Sequence, residues 1–321
     1  MASFRHGKYR LAYTEFGEGS RHVVLLPGLL FSQRMHVPLA RTLADAGNHV
    51  ITLDVLGHGR SDRPRDMGHY SMQFFAAQTV ALLDHLEIEQ AVIGGTSLGA
   101  NIALEAEALA PERVRGLLVD MPVLDNALLG CAIAFTPLMV ALTFGEPGMK
   151  LVQSVANAVP RERLPQFGDV LLDWIRQDPG PSAAVLQGLF FGRIAPHRTV
   201  RRTFTAPSLV IGHQRDPIHP FSDAGMLAEE LPNARLVQAN SIFELRTQPE
   251  RLTAEILEFM DRCWKPKRTR APKRSPKRKA PARAAAATRR AAAGERAAAP
   301  ARAAAAAGEP PAATRTARQT A

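Results

Sequence analysis

Residues 94–100, Gly94-Gly95-Thr96-Ser97-Leu98-Gly99-Ala100 (GGTSLGA), follow the apolar run Ala91-Val92-Ile93 and open the alanine-rich stretch Leu98 to Leu109. A short apolar run reads as a buried strand, and the stretch after it as a helix. The pentapeptide Gly95 to Gly99 has the form G-x-S-x-G between these two elements. That spacing has a steric reason. A sharp strand-to-helix turn forces the serine into a strained conformation that lifts Oγ clear of the sheet edge. Glycines two residues to either side let neighbouring backbone approach closely. The helix N-terminus behind the serine directs positive backbone dipole at developing negative charge. The competing reading is a tight turn with a serine N-cap.

Working outward, Val23 to Leu26 is a short apolar strand ended by Pro27-Gly28, and His49 to Asp54 is another. Met72 to Leu86 reads as a helix, and Val114 to Val119, Pro207 to Ile211 and Ala234 to Val237 as strands. Pro249 to Cys263 closes this region as a helix. Tyr9 to Glu15 precedes the turn-like GEGSR at 17–21, as a hairpin would. Short apolar strands alternating with helices predict a parallel sheet covered on both faces. Between Pro122 and Ala206 no strand pattern occurs. Val170, Leu171, Trp174 and Ile175 share one helical face, as do Val185, Leu186, Leu189 and Phe190, so a helical insertion over one sheet end is expected.

Charge divides the 321 residues in two. Of 40 Lys+Arg and 30 Asp+Glu, 16 and 2 lie from Lys265 onward, leaving 24 and 28, a net −4, in residues 1–264. After Trp264 no aromatic residue and no Ile, Leu, Val or Met occurs. Such a segment buries too little apolar surface to offset the entropy of ordering, and seven prolines interrupt its alanine runs. The expected organisation is a globular body over 1–264 and a disordered Lys/Arg/Pro/Ala-rich tail over 265–321. Two distant cysteines, Cys131 and Cys263, fit a reducing compartment, and the N-terminus lacks a signal-peptide core, so a cytoplasmic location is expected. Asn126 to Gly145 carries no charge over 20 residues, a length that permits a membrane span. Pro137, Gly130, Asn126 and two threonines dilute it, and the reading adopted is a buried or cap helix pair with no transmembrane segment.

The stretches VVLLPGLLFSQRMHVPLARTLADAGNHVITLDVLGHGRSDRP and AVIGGTSLGANIALEAEALAPERVRGLLVD resemble the α/β-hydrolase superfamily. APSLVIGHQRDPIHP and QPERLTAEILEFM extend the likeness over nearly all of residues 10–264. Its nearest branch is the serine esterases, lactonases and carbon–carbon bond hydrolases. The resemblance implies a mostly parallel eight-stranded sheet with helices on both faces and a helical cap after strand 6, here about 122–206. It implies Ser97 as nucleophile and the backbone N–H groups of Leu29, after Pro27-Gly28, and Leu98 as oxyanion-hole donors. Asp216, just past the strand Leu209 to Gly212, occupies the acid's position. Asp120 and Asp125, after the sixth strand, are alternatives.

The base is the difficulty. Members of the superfamily carry Gly-His seven or eight residues before a motif like QPE, and here that place holds Ser241-Ile242; no histidine follows His219. A serine hydroxyl is a weak nucleophile without an adjacent base. Three explanations stand open. His219, three residues after Asp216, reaches Ser97 from the acid's own loop. Alternatively His36, His58 or His213 serves, of which His36 is favoured over His58, since GHGRSDRP recurs in the superfamily as a structural turn. Or there is no base, and a catalytically degenerate fold acts as a binding protein, tethered to a polyanion by its tail.

No metal or nucleotide fingerprint occurs, and no cofactor is expected. A serine nucleophile disfavours haloalkane and epoxide hydrolysis, for which relatives use Asp. Leu128, Leu129, Ile133, Phe135, Leu138, Met139 and Leu142 offer an apolar entrance, pointing to an apolar acyl ester, thioester or lactone. The tail KPKRTRAPKRSPKRKAPAR resembles the arms of linker histones. Its charge density suits non-specific binding of nucleic acid, polyphosphate or an anionic membrane, without base stacking.

Overall fold

Eight strands form one sheet in the computed structural model, which describes residues 1–161 and 164–265. In chain order they are β1 (Ala2–His6), β2 (Tyr9–Phe16), β3 (His22–Leu26), β4 (His49–Asp54), β5 (Ala91–Thr96), β6 (Val114–Asp120), β7 (Ser208–His213) and β8 (Ala234–Ala239). Their order across the sheet is β1-β2-β4-β3-β5-β6-β7-β8, with β1, β2 and β4 paired antiparallel and every other neighbour parallel. The fold is that of the α/β hydrolases. β2 departs from the hairpin expected at 9–21: it pairs with β1 and β4, not with β3. The GEGSR turn therefore carries the chain over β4. Turn composition marks a reversal but does not name the partner strand.

The helices are α1 (Val37–Asp45), α2 (Met72–His85) and α3 (Leu98–Leu109), then α4 (Leu128–Phe144), α5 (Glu146–Ala158), α6 (Gln166–Ile175), α7 (Pro179–Phe190) and α8 (Arg198–Arg201). After β7 come α9 (Phe221–Glu230), α10 (Glu244–Thr247) and α11 (Glu250–Trp264). One core layer packs α1 and α11 on the sheet through Leu39, Leu43, Ile256 and Phe259. The opposite layer packs α2, α3 and α9 through Phe75, Leu82, Ile102 and Leu227. From β3 the chain moves outward to β4, then returns past β3 to β5. That reversal opens a crevice at the carboxyl ends of β3 and β5, where open α/β sheets bind ligands.

α4 to α8 form the cap, inserted after β6 as expected. Two side chains anchor it. The carboxylate of Asp223, fully buried in α9, accepts the N–H groups of Leu124, Asn126 and Ala127 and the Asn126 side-chain amide at 2.7–3.1 Å, fixing the entry to α4. Asn101, in α3, donates to the carbonyls of Val123 and Ile194 at 2.7 and 2.8 Å and so ties together the two ends of the insertion. The stretch Asp125–Phe144 is long and apolar enough, by length and composition, to cross a membrane, with mean hydropathy 2.1; only 11 % of its most apolar window is buried. Beyond Lys265 the expected basic tail lies outside the described residues.

Backbone packs closely on backbone at the end of β3. A Cβ built on Gly99 would overlap the Leu26 carbonyl oxygen and stand 2.6 Å from its carbon, and one on Gly95 would lie 2.9 Å from Gly99 Cα. These two glycines let the loop after β3 lie directly on the turn after β5. Gly99→Ala is expected to lower stability by about 1–3 kcal/mol, the usual cost of overpacking, read as a fall in Tm. An unchanged Tm would mean that this contact is not tight.

Candidate active site

Ser97 sits where β5 becomes α3 with φ +56° and ψ −112°, in the left-handed region that side chains avoid. Its N–H donates to the Asp120 carbonyl at 2.8 Å and its carbonyl accepts from Asn101 N–H at 3.1 Å, so both flanks of the turn are held. Leu30, Met121 and Arg215 also have positive φ, of 60°, 56° and 60°. They lie in the loops leaving β3, β6 and β7, so four of the five such non-glycine residues crowd the same sheet edge. The N–H groups of Leu29 and Leu98 take no hydrogen-bond partner among the described residues. For Leu98, first residue of α3, a helix supplies none.

The loop from Gln214 to Pro220 brings acid and imidazole together. Asp216 Oδ1 accepts the N–H groups of Ile218 and His219 at 2.8 and 3.0 Å, which curls the chain through Asp-Pro-Ile-His. Its Oδ2 accepts from His219 Nδ1 at 2.9 Å, and His219 Nε2 lies 2.8 Å from Ser97 Oγ. Pro217 and Pro220 restrict the backbone at both ends of the curl. Hydrogen-bond chemistry fixes the tautomer: Nδ1 faces a carboxylate and must donate, leaving Nε2 to accept from the serine hydroxyl. Burial works against the Asp216 carboxylate, but the hydrogen bond and charge of His219 and the two loop amides outweigh it and hold the carboxyl below its ordinary value.

The other histidines are engaged elsewhere. His36 Nε2 donates to the Leu26 carbonyl at 2.8 Å, and burial pushes its pKa down to about 3. His58 Nδ1 donates to the Leu56 carbonyl, and burial pushes its pKa down to about 4. His213, at the end of β7, contacts Asp120 Oδ1 through Nε2 at 2.8 Å and the Ser241 carbonyl through Nδ1 at 2.9 Å. Both partners only accept, so both ring nitrogens carry hydrogen and His213 is an imidazolium. Asp120, whose Oδ2 accepts from Thr96 Oγ1 at 2.8 Å, serves this pair, and Thr96 in turn accepts from Arg246. Asp125 opens the short 3-10 turn before α4.

The family model for the α/β hydrolase fold matches residues 21–133. The chain is 30 % identical over 199 residues to 2-hydroxymuconate semialdehyde hydrolase of Pseudomonas putida, spanning 58 % of this chain and 67 % of that protein. It is 27 % identical over 307 residues to epoxide hydrolase A of Mycobacterium tuberculosis, spanning 78 % and 94 %. Among solved structures, the enol-lactonase of Burkholderia xenovorans LB400 shares the fold with TM-score 0.67 and 19 % identity, over 81 % of this chain and all of that one. The chain belongs to the α/β-hydrolase superfamily.

Like other α/β hydrolases, it has its cleft between sheet edge and cap, here with two lobes that meet at Leu29, Ser97, Phe135 and Ile218. One lobe, about 220 Å³, is walled by Leu98, Leu128, Leu186, Leu189 and Phe190. The other, about 460 Å³, reaches Trp174, Ile242 and the Asp120–His213–Arg246 network and contains Asp216 and His219. The apolar entrance expected along α4 is only partly there: Leu128 and Phe135 line the cleft, while Leu129 and Ile133 point out to solvent and Leu142 is buried. A helix apolar on every side gives no sequence signal of which face turns inward. Trp174, which donates to the Leu29 carbonyl at 3.2 Å, and Arg246 were not anticipated as site residues. Trp174 could have been singled out as a rare indole on a cap face; no signal points to Arg246.

The His213–Asp120 pair makes stability depend on pH. Burial opposes both charges, but each partner's hydrogen bond and charge outweigh it, raising His213 above 6.5 and, with Arg246 and Thr96, lowering Asp120 below 3.8. A raised histidine pKa stabilises the fold below 6.5 and ceases to do so as pH climbs through the raised value. A lowered carboxyl pKa stabilises above 3.8 and ceases to do so as pH falls through the lowered value. The Tm deficit of His213→Gln is therefore expected to be largest near about pH 5 and to shrink on either side. A deficit that grows toward about pH 9 would refute the charged pair.

Proposed function

We propose that this chain is a serine hydrolase of the esterase and lactonase type, cleaving a carboxylic ester, thioester or lactone through an acyl-enzyme. Ser97 is the nucleophile, His219 the base, Asp216 the orienting carboxylate, and the amides of Leu29 and Leu98 the oxyanion donors. The observation that carries this reading is the unbroken line Asp216 Oδ2–His219 Nδ1 (2.9 Å) and His219 Nε2–Ser97 Oγ (2.8 Å). As Oγ attacks the carbonyl carbon, its proton passes to Nε2 and the carbonyl oxygen becomes an oxyanion between the two amides. Such donors contribute roughly 3 kcal/mol each to transition-state stabilisation. Asp216, held ionised, stabilises the imidazolium and keeps Nδ1–H in place. Collapse of the intermediate hands the Nε2 proton to the leaving oxygen or sulfur, and a water repeats the sequence to free the acid.

The similarity to an epoxide hydrolase supports the scaffold more than the reaction. An alkoxide that opens an epoxide forms a carbon–oxygen ether, which a base-activated water cannot hydrolyse, so Ser97 would be blocked after one event. Attack on an acyl carbon leaves an ester, which the same machinery reverses. The apolar walls of the smaller lobe support an acyl chain as the group bound there.

A fluorophosphonate probe tests the chemistry. Labelling at Ser97 is expected in the native protein and absent in Ser97→Ala. In His219→Gln, labelling and ester turnover are expected to fall by about 10²–10⁴-fold; labelling of that variant at the native rate would remove His219 as base, and absence of labelling in the native protein would favour the binding-protein reading. Substrate range is a separate measurement. Hydrolysis of p-nitrophenyl octanoate should exceed that of the acetate in kcat/KM by about tenfold or more, since each buried methylene contributes about 0.8 kcal/mol. Preference for acetate would exclude the acyl-chain assignment of the small lobe.

A further inference from the structure

The most apolar helix among the described residues lies on the outside. Along α4, Leu129, Ile133, Pro137, Val140 and Phe144 recur at spacings of three or four and form one exposed stripe. Leu129, Ile133 and Phe144 are 72 %, 68 % and 82 % exposed. α5, joined to α4 through Gly145, adds a second stripe of exposed Leu151, Val152 and Val155. No charged residue occurs from Asn126 to Gly145. A contiguous apolar surface of this kind marks an interaction site, and a helix apolar on all sides is a poor water-facing element.

We propose that this face of the cap docks on the surface of an anionic phospholipid bilayer, from which a long-chain acyl ester reaches Ser97. Two observations select the bilayer as occupant. First, the small lobe of the cleft reaches the surface at this cap: Leu128 and Phe190 wall it and are themselves half exposed. A protein partner seated there would cover the entrance, whereas lipid supplies what enters. Second, the charge complements anionic lipid. Residues 1–264 carry a net −4 and gain nothing from such a surface, but the 16 Lys+Arg against 2 Asp+Glu from Lys265 onward supply strong attraction. An apolar face together with a polybasic segment is the two-signal arrangement that holds a protein at a membrane where either alone binds weakly. Docking does not depend on the hydrolase reading; the substrate class rests on it.

Flotation of the full chain with vesicles tests the proposal. Binding is expected to phosphatidylcholine vesicles containing phosphatidylglycerol, weaker to phosphatidylcholine alone, with a portion that survives high salt because apolar contact is not screened. The double variant Ile133→Asp, Phe144→Asp changes two outward side chains away from Ser97. It should lose at least about tenfold in vesicle affinity and all of the salt-resistant portion, while its rate on soluble p-nitrophenyl acetate stays native. Turnover of a long-chain ester presented in vesicles should fall with binding. The proposal is overturned if the native chain does not float, or if the variant floats as well as native, which would leave the tail as sole contact. It is likewise overturned if the native chain forms a dimer without lipid that the variant abolishes, since a second copy would then cover the face. Vesicle binding lost in the variant, with no ester hydrolysed by either protein, would sustain docking and reject the hydrolase reading instead.

Discussion

Ser97 holds a backbone conformation that costs on the order of 1–3 kcal/mol, and the arrangement of the site depends on that cost being met by its surroundings. The Asp120 carbonyl fixes the turn on the β6 side, and α3 fixes the other. Gly95 and Gly99 leave no Cβ to hold off the end of β3, so the loop carrying Leu29 lies against the turn. Three consequences share this cause. Oγ leaves the sheet edge, the Leu98 amide is released at a helix start, and the Leu29 amide comes from the loop after β3, a direct neighbour of β5.

Two imidazoles near this turn, His213 buried and His219 partly exposed, meet partners of different chemistry. His219 lies between a carboxylate and a hydroxyl, which can donate as well as accept. His213 lies between a carboxylate and a carbonyl, so it carries both protons. The loop at Ser241, where the sequence likeness pointed to a Gly-His, here accepts a hydrogen bond from His213. Asp216 and His219 share one short loop, stiffened by two prolines and by a carboxylate that binds the backbone with one oxygen and the imidazole with the other. Fewer independent segments need to be aligned for the line to form.

The cap is attached by polar contacts at its ends and presents apolar surface between them. Asp223 caps the entry to α4 and Asn101 joins the two ends, one turn along α3 from Ser97. A displacement of the insertion therefore bears on the helix that positions the serine, and Trp174 ties α6 to the loop after β3. Substrate access and outward apolar surface belong to the same short helices.

The sequence by itself determined the strands that bracket Ser97 and the insertion after the sixth strand, because each is written in local terms: a run of apolar residues, a glycine spacing, a long stretch without strand pattern. Asp216 was singled out by the likeness to the α/β hydrolases, its Asp-Pro pattern alone reading as a turn. For the base it left open His219, one of His36, His58 or His213, or none. Choosing among them required knowing which nitrogen meets which oxygen across 122 residues of chain, and that is set by how β5 and β7 lie in the sheet. The partner of β2 and the inward face of α4 were likewise undetermined. Strand pairing in β2 is non-local, and α4 has no polar side to orient it, so only packing against the rest of the molecule decides what each one touches.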